Sequence, residues 1–264
     1  IDYTCEILKP WADAYGIEPP GAPAPPIALD RQIEAVLDIC PAVFSFTFGL
    51  APPDLLDACR LRHIVTVGTA TTLEEVLALE QSGVDCICVQ GMEAGGHRGT
   101  FLRPVEESLV GLMSLLGMAV QATSLPVIAA GGIMNGQGIR AALDLGASAA
   151  SLGTAFMVTD EAGTPPAHQH MLAVADPRPT VLTRAFSGRM ARGITNRFHE
   201  MVSPHQNRLV PFPALNDMTR KIRQAAASAG DAEALSLWAG QAYPLVRSMP
   251  TAQLMSTLVR EAQL

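Results

Sequence analysis

Short apolar runs rich in β-branched residues recur through the middle of the chain, and each is followed by a stretch with helical spacing of its apolar positions. Ala42–Thr47, Ile64–Gly68, Asp85–Val89, Pro126–Ala130 and Ala149–Leu152 read as buried strands. Pro53–Arg60, Leu73–Ser82, Leu109–Thr123 and Gly138–Leu145 read as the amphipathic helices between them. Thr72 followed by Leu73, Glu74 and Glu75 has the form of a helix start with acids in its first turn, and Gly83 the form of its stop. Such alternation implies right-handed βαβ units and a parallel sheet. Five units in tandem fit either a barrel or a doubly wound sheet.

The flanks are patterned differently. Pro19 to Pro26 has no periodicity and reads as an irregular surface linker. Thr180–Phe198 carries Arg184, Arg189, Arg192 and Arg197 among glycine and serine. It reads as a solvated loop or short hairpin, with a lid over a site as the competing reading. The last fifty residues are helical in pattern, with Gly230-Asp231-Ala232-Glu233 as a helix start and Trp238 and Tyr243 as packing anchors. Composition narrows the function classes. With 264 residues, 48% of them hydrophobic, the chain is long enough for a large core, and no apolar run reaches membrane-spanning length. A net charge of −7 without a basic cluster argues against nucleic acid or an anionic membrane as partner. The five cysteines are odd in number with no disulfide-like spacing, so a reducing, cytoplasmic setting is expected. Cys86 and Cys88 fall on one side of a strand and read as small hydrophobes. His168-Gln169-His170, after two prolines, reads as a solvated helix start, and no metal site is expected at either place.

Candidate chemistry lies where strands open into glycine. The first such place is Val89-Gln90-Gly91-Met92-Glu93-Ala94-Gly95-Gly96-His97-Arg98-Gly99. Taken alone it is either a plain βα turn with an idle imidazole or a loop that lets backbone approach a ligand closely. The second is Ala129-Ala130-Gly131-Gly132-Ile133, and the third Ser151-Leu152-Gly153-Thr154-Ala155-Phe156. Bare amides on consecutive βα loops form the phosphate cradle common at the last two strands of a βα barrel. Gly132, Gly153 and Thr154 are the amides proposed for it, with a hydroxyl from Thr154 or Ser151 as a further donor.

These motifs, with Ala185-Phe186-Ser187-Gly188-Arg189 and Arg192-Gly193, resemble the FMN-dependent nitronate monooxygenases, formerly called 2-nitropropane dioxygenases. The resemblance runs over nearly the whole chain. It is shared in part with flavin-dependent enoyl-acyl-carrier-protein reductases of the same superfamily. It implies an α/β protein of the (β/α)8 TIM-barrel type, shortened at its N-terminus, with about five βα units and a C-terminal helical extension. A single flavin-binding domain over residues 1–264 is expected. Its βα units and FMN site would lie at 42–160, and its loop, hairpin and helical part at 161–264. Gln90, Gly95, Gly131, Gly132, Ser151, Leu152, Gly153 and Thr154 match positions that contact FMN. His97 matches the histidine proposed as the base that takes the substrate's α-proton. The implied reaction converts an alkyl nitronate, such as propionate 3-nitronate, or a nitroalkane, with dioxygen to a carbonyl compound and nitrite. Arg98, or an arginine between 184 and 197, is the candidate for holding a substrate carboxylate. Self-association into a homo-oligomer stays open. Two alternatives stand beside this reading: an NAD(P)H-dependent enoyl reductase, and an inactive barrel fragment that binds only a phosphorylated ligand or a partner chain.

Overall fold

The apolar runs become strands because a β-branched segment buried on both faces is best satisfied inside a parallel ladder. The computed structural model describes residues 1–25, 28–174 and 176–264. Among them the strands in chain order are β1 (Val43–Phe46), β2 (Val65–Ala70), β3 (Cys86–Gln90), β4 (Gly96–His97), β5 (Val127–Ala130), β6 (Ala149–Ser151), β7 (Thr180–Thr183) and β8 (Ala191–Ile194). The chain divides into two units. One comprises Ile27–Ala94, Arg98–Gly153 and Met255–Leu264; the other comprises Ile1–Pro26, Gly95–His97 and Thr154–Leu254.

The first, a sheet unit, holds a five-stranded sheet in the order β1-β2-β3-β5-β6. All its pairings are parallel, with Val67 opposite Cys86, Ile87 opposite Val127 and Ile128 opposite Ala149. The order follows the chain without the reversal that marks a doubly wound sheet, which leaves the barrel-type winding of the two readings. Helices Pro53–Leu61, Leu73–Ser82, Leu112–Ala122 and Gly136–Asp144 connect the strands. Their apolar stripes close a core that includes Leu79, Ile87, Val89, Leu115, Leu116, Val127 and Ala129. Thr72 Oγ1 accepts from the Glu75 amide at 3.3 Å, and Gly83 ends that helix in the left-handed region at φ +85°. The next helix starts three residues later than the expected Leu109, at Leu112, because the Glu93 carboxylate accepts from the Leu112 amide at 3.0 Å. That carboxylate caps the helix and meets the positive end of its dipole.

The second, a hairpin unit, holds an antiparallel sheet in the order β4-β8-β7. Its core gathers Trp11, Phe186, Phe198, Leu215, Ile222 and Tyr243. Phe186 stacks on Phe198 with ring centroids 4.6 Å apart. The hairpin Thr180–Ile194 is not solvated: every residue of β8 is buried. Two further expectations are corrected here. Gly230 ends helix Arg220–Ala229 at φ +68° instead of opening a new one, and Asp231 caps only a 3-10 turn, Ala232–Ala234. The chain beyond then runs extended, because Leu237 and Trp238 pair with β8 through Ile194 N–H to Leu237 O and a Gly193–Trp238 bridge. His168 is 5% exposed within helix Pro166–Leu172, so it belongs to the interior, whereas His170 is exposed. Residues 19–25 are irregular as expected, with the Ala24 amide on Asp217 Oδ2 at 2.9 Å; Pro26, the end of that stretch, lies outside the described residues. Among the described residues no helix is long and apolar enough to cross a membrane.

Candidate functional site

His97 is held by backbone before any side chain is considered. Gly96 and His97 form β4, which pairs antiparallel with β8, placing His97 opposite Ala191 and Gly96 opposite Arg192. Gly96 adopts φ +74°, which only glycine takes without strain. The β7–β8 connection then delivers Ser187, whose Oγ lies 2.7 Å from His97 Nε2. Gly188 makes that turn possible at φ +82°, where an added Cβ would collide with the backbone of Pro211 and Phe212. The rings of Phe212 and Trp238 each stand 5.6 Å from the imidazole. Gly193 lets the indole lie against β8, since a Cβ there would come within 2.9 Å of Trp238 Cε3. The imidazole is thus walled by aromatic rings and Ser187. Burial first, and then the guanidiniums of Arg189 and Arg223, together push its pKa down to about 4. At neutral pH His97 is uncharged and a weak base. Gly95 has a packing reason of its own, because a Cβ would meet the Ala239–Gly240 backbone at 2.6 Å. Thr154 Oγ1, expected beside a phosphate, accepts from the Gly240 amide at 3.1 Å.

In the sheet unit the carboxyl end of β3 is braced from within. Gln90 Oε1 accepts from Arg98 Nη1 and from the Gly99 amide, both at 2.9 Å. Arg98 is 0% exposed and also donates to the carbonyls of Gln90, Gly91 and Ser108. Its guanidinium therefore orders the loop instead of meeting a substrate carboxylate. Glu75, 0% exposed, accepts from the amide and hydroxyl of Thr71 and from the amides of Phe101 and Leu102. At the ends of β5 and β6, Gly131 and Gly132 take φ +111° and +73° against Ala94 and Glu93. Among the described residues no hydrogen bond uses the amide of Gly132 or of Gly153. A Cβ built on Gly153 meets nothing within 4 Å, and Ser151 and Gly153 are exposed. Two of the four candidate arginines between 184 and 197 are engaged in structure: Arg192 is buried with Nη1 on Thr180 Oγ1 at 3.2 Å, and Arg197 lies 5.0 Å over the Trp11 ring.

The nitronate monooxygenase family model matches residues 9–261. The chain belongs to the nitronate monooxygenase family. A probable nitronate monooxygenase of Staphylococcus aureus (strain Newman) is 37% identical over 259 residues, which cover 96% of this chain and 72% of the relative. The structure of a nitroalkane oxidase from Streptomyces ansochromogenes superposes with a TM-score of 0.93 at 39% identity, over 99% of this chain and 76% of that one. FabK from Thermotoga maritima superposes with a TM-score of 0.74 at 25% identity, over 89% and 72%. The protein is thus a flavin oxidoreductase of the nitronate monooxygenase type, on the α/β barrel-type fold expected from its sequence.

Membership in the family leaves several residues that sequence reasoning passed over. Ser187 was visible only as part of a family-like stretch, since nothing in its neighbours says that it faces His97. Trp238 read as a packing anchor, and Arg223 was not singled out. Glu75 read as a first-turn acid, while its burial depends on a loop 26 residues away.

Proposed function

We propose that the protein oxidises alkyl nitronates, propionate 3-nitronate among them, with dioxygen to a carbonyl compound and nitrite, using FMN. The observation that carries this reading is the electrostatics at His97: an uncharged imidazole in a desolvated pocket, acted on by the guanidiniums of Arg189 and Arg223. Positive charge acting on this pocket favours an anion, and a nitronate is one. The same features weaken His97 as a base, so a neutral nitroalkane, which must first lose its α-proton, is the poorer substrate. Ser187 fixes the ring at Nε2, while Phe212 and Trp238 exclude water from it.

The residues fit the phosphate end of FMN. The unengaged amides of Gly132 and Gly153 and the open space over Gly153 support a cradle, with Gly131, Ser151, Leu152 and Thr154 as its neighbours. Gln90 and Gly95 are the further flavin contacts in this reading. When bound, FMN supplies the redox chemistry, taking electrons from the nitronate and passing them to dioxygen. His97 is proposed to take the α-proton when the neutral nitroalkane is the substrate. The test is His97→Ala, assayed by oxygen uptake and nitrite release. The variant should keep FMN, lose roughly a hundredfold or more on neutral nitroalkane, and lose far less on preformed nitronate. Equal turnover of the neutral substrate by variant and wild type would reject the base assignment.

A further inference from the structure

The carboxamide of Gln90, the last residue of β3, is held in one of its two orientations. Its Oε1 accepts from Arg98 Nη1 and from the Gly99 amide, each at 2.9 Å. A carboxamide oxygen has two lone pairs, and both are taken. Turned over, the group would set its –NH2 against a guanidinium N–H and a backbone N–H, leaving donors facing donors beside a buried residue. The –NH2 end is therefore the one directed away from Arg98.

Arg98 is placed to keep that orientation. It is 0% exposed, so water does not take over its contacts. The same guanidinium donates to the carbonyls of Gln90 at 3.1 Å, Gly91 at 2.7 Å and Ser108 at 3.3 Å, which sets its plane against the turn after β3. The segment that carries it is tied again downstream. Thr100 Oγ1 lies 2.7 Å from Thr71 Oγ1, and the amides of Phe101 and Leu102 donate to Glu75 Oε1. Gln90 itself is only half-buried, at a strand end.

A flavin ring offers both kinds of partner: an imide N–H that donates, and ring nitrogens and carbonyl oxygens that accept. A carboxamide free to turn could serve either. We propose that Arg98 is a positioning residue acting through Gln90: it fixes the –NH2 end outward, so that Gln90 meets the flavin as a donor, at a ring nitrogen or carbonyl oxygen and not at the imide N–H. This rests on the reading of Gln90 as a flavin contact, and adds which end makes the contact and what sets it.

Gln90→Glu is the sharpest test, because it keeps both inward acceptor bonds and turns only the outward group from donor to acceptor. Without FMN its thermal midpoint should equal or exceed that of wild type. Gln90→Leu, which leaves the donors of Arg98 and Gly99 unmet, should melt several degrees lower. In FMN titrations Gln90→Glu should bind roughly ten- to a hundredfold more weakly than wild type, with a displaced visible flavin band. Arg98→Met should displace the band in the same direction, and Arg98→Lys, which returns a donor to Oε1, should recover most of the affinity and the wild-type band. If Arg98→Met does not fold, the two Gln90 variants and Arg98→Lys carry the test. A Gln90→Glu protein that holds FMN as tightly as wild type would overturn the donor assignment. One that melts as low as Gln90→Leu would overturn the lock, and an Arg98→Met protein with the wild-type band would leave Arg98 a structural residue only. A wild type that binds no FMN, with the midpoints in the stated order, would defeat the cofactor reading while upholding the Arg98–Gln90 lock.

Discussion

His97 shows how one residue acquires a chemistry that its sequence position only hints at. A histidine after two glycines at a strand's end invites a functional reading, and an unperturbed imidazole titrates near neutrality. The pocket changes that value: aromatic walls and two guanidiniums bring it to about 4. Neither Phe212, Trp238 nor Arg223 lies near His97 in sequence, so the shift could not be read from the motif. The glycines were more legible, because backbone freedom is local. They nonetheless divide by physical reason. Gly131 and Gly132 are required by positive φ, Gly95 by the Ala239–Gly240 backbone, and Gly153 by nothing inside the protein. Gly153→Val is therefore the informative substitution. It should leave the thermal midpoint within a few degrees of wild type and weaken FMN binding by roughly a hundredfold, read by flavin titration. Unchanged FMN affinity would remove Gly153 from the cradle.

At the scale of elements, the sheet unit was largely written in periodicity, since each strand and helix carries its own pattern and caps. Leu73–Ser82 has its Thr72 start and Gly83 stop as read. The hairpin unit was less legible because its order comes from pairing between distant segments. The Gly193–Trp238 bridge keeps the chain after Ala234 extended where local composition suggested helix. The loop 98–102 follows the same rule: its anchor is Glu75, on a helix that precedes it. Glu75→Ala removes one acceptor from four donors in a buried site. It should cost about 3 kcal/mol of stability by denaturant unfolding. Flavin affinity should fall as well, since the loop that orders Gln90 loosens. A change below about 0.5 kcal/mol would show that the donors find other partners.

For the whole molecule, acid response follows from two buried imidazoles. His97 and His168 are each pushed down to about 4 from 6.5, chiefly by burial. The unfolded chain therefore binds more protons than the native protein between those values. Native stability should be complete above about pH 6.5 and fall as pH drops towards about 4. His168→Asn should flatten that slope in urea unfolding across the same window, and an unaltered slope would show that His168 is not buried neutral. The fold class and the family were legible because βα periodicity and glycine loops are local signals. The charge pattern around the imidazole was not, since it is assembled from β4, the β7–β8 connection and helix Arg220–Ala229. Anaerobic mixing tests the central claim most directly. The FMN-loaded protein is mixed with propionate 3-nitronate, and separately with NADPH and NADH, while the visible flavin band is followed. The account predicts prompt bleaching by the nitronate, with colour returning and nitrite appearing when oxygen is admitted. Bleaching by a reduced nicotinamide with no response to the nitronate would contradict it.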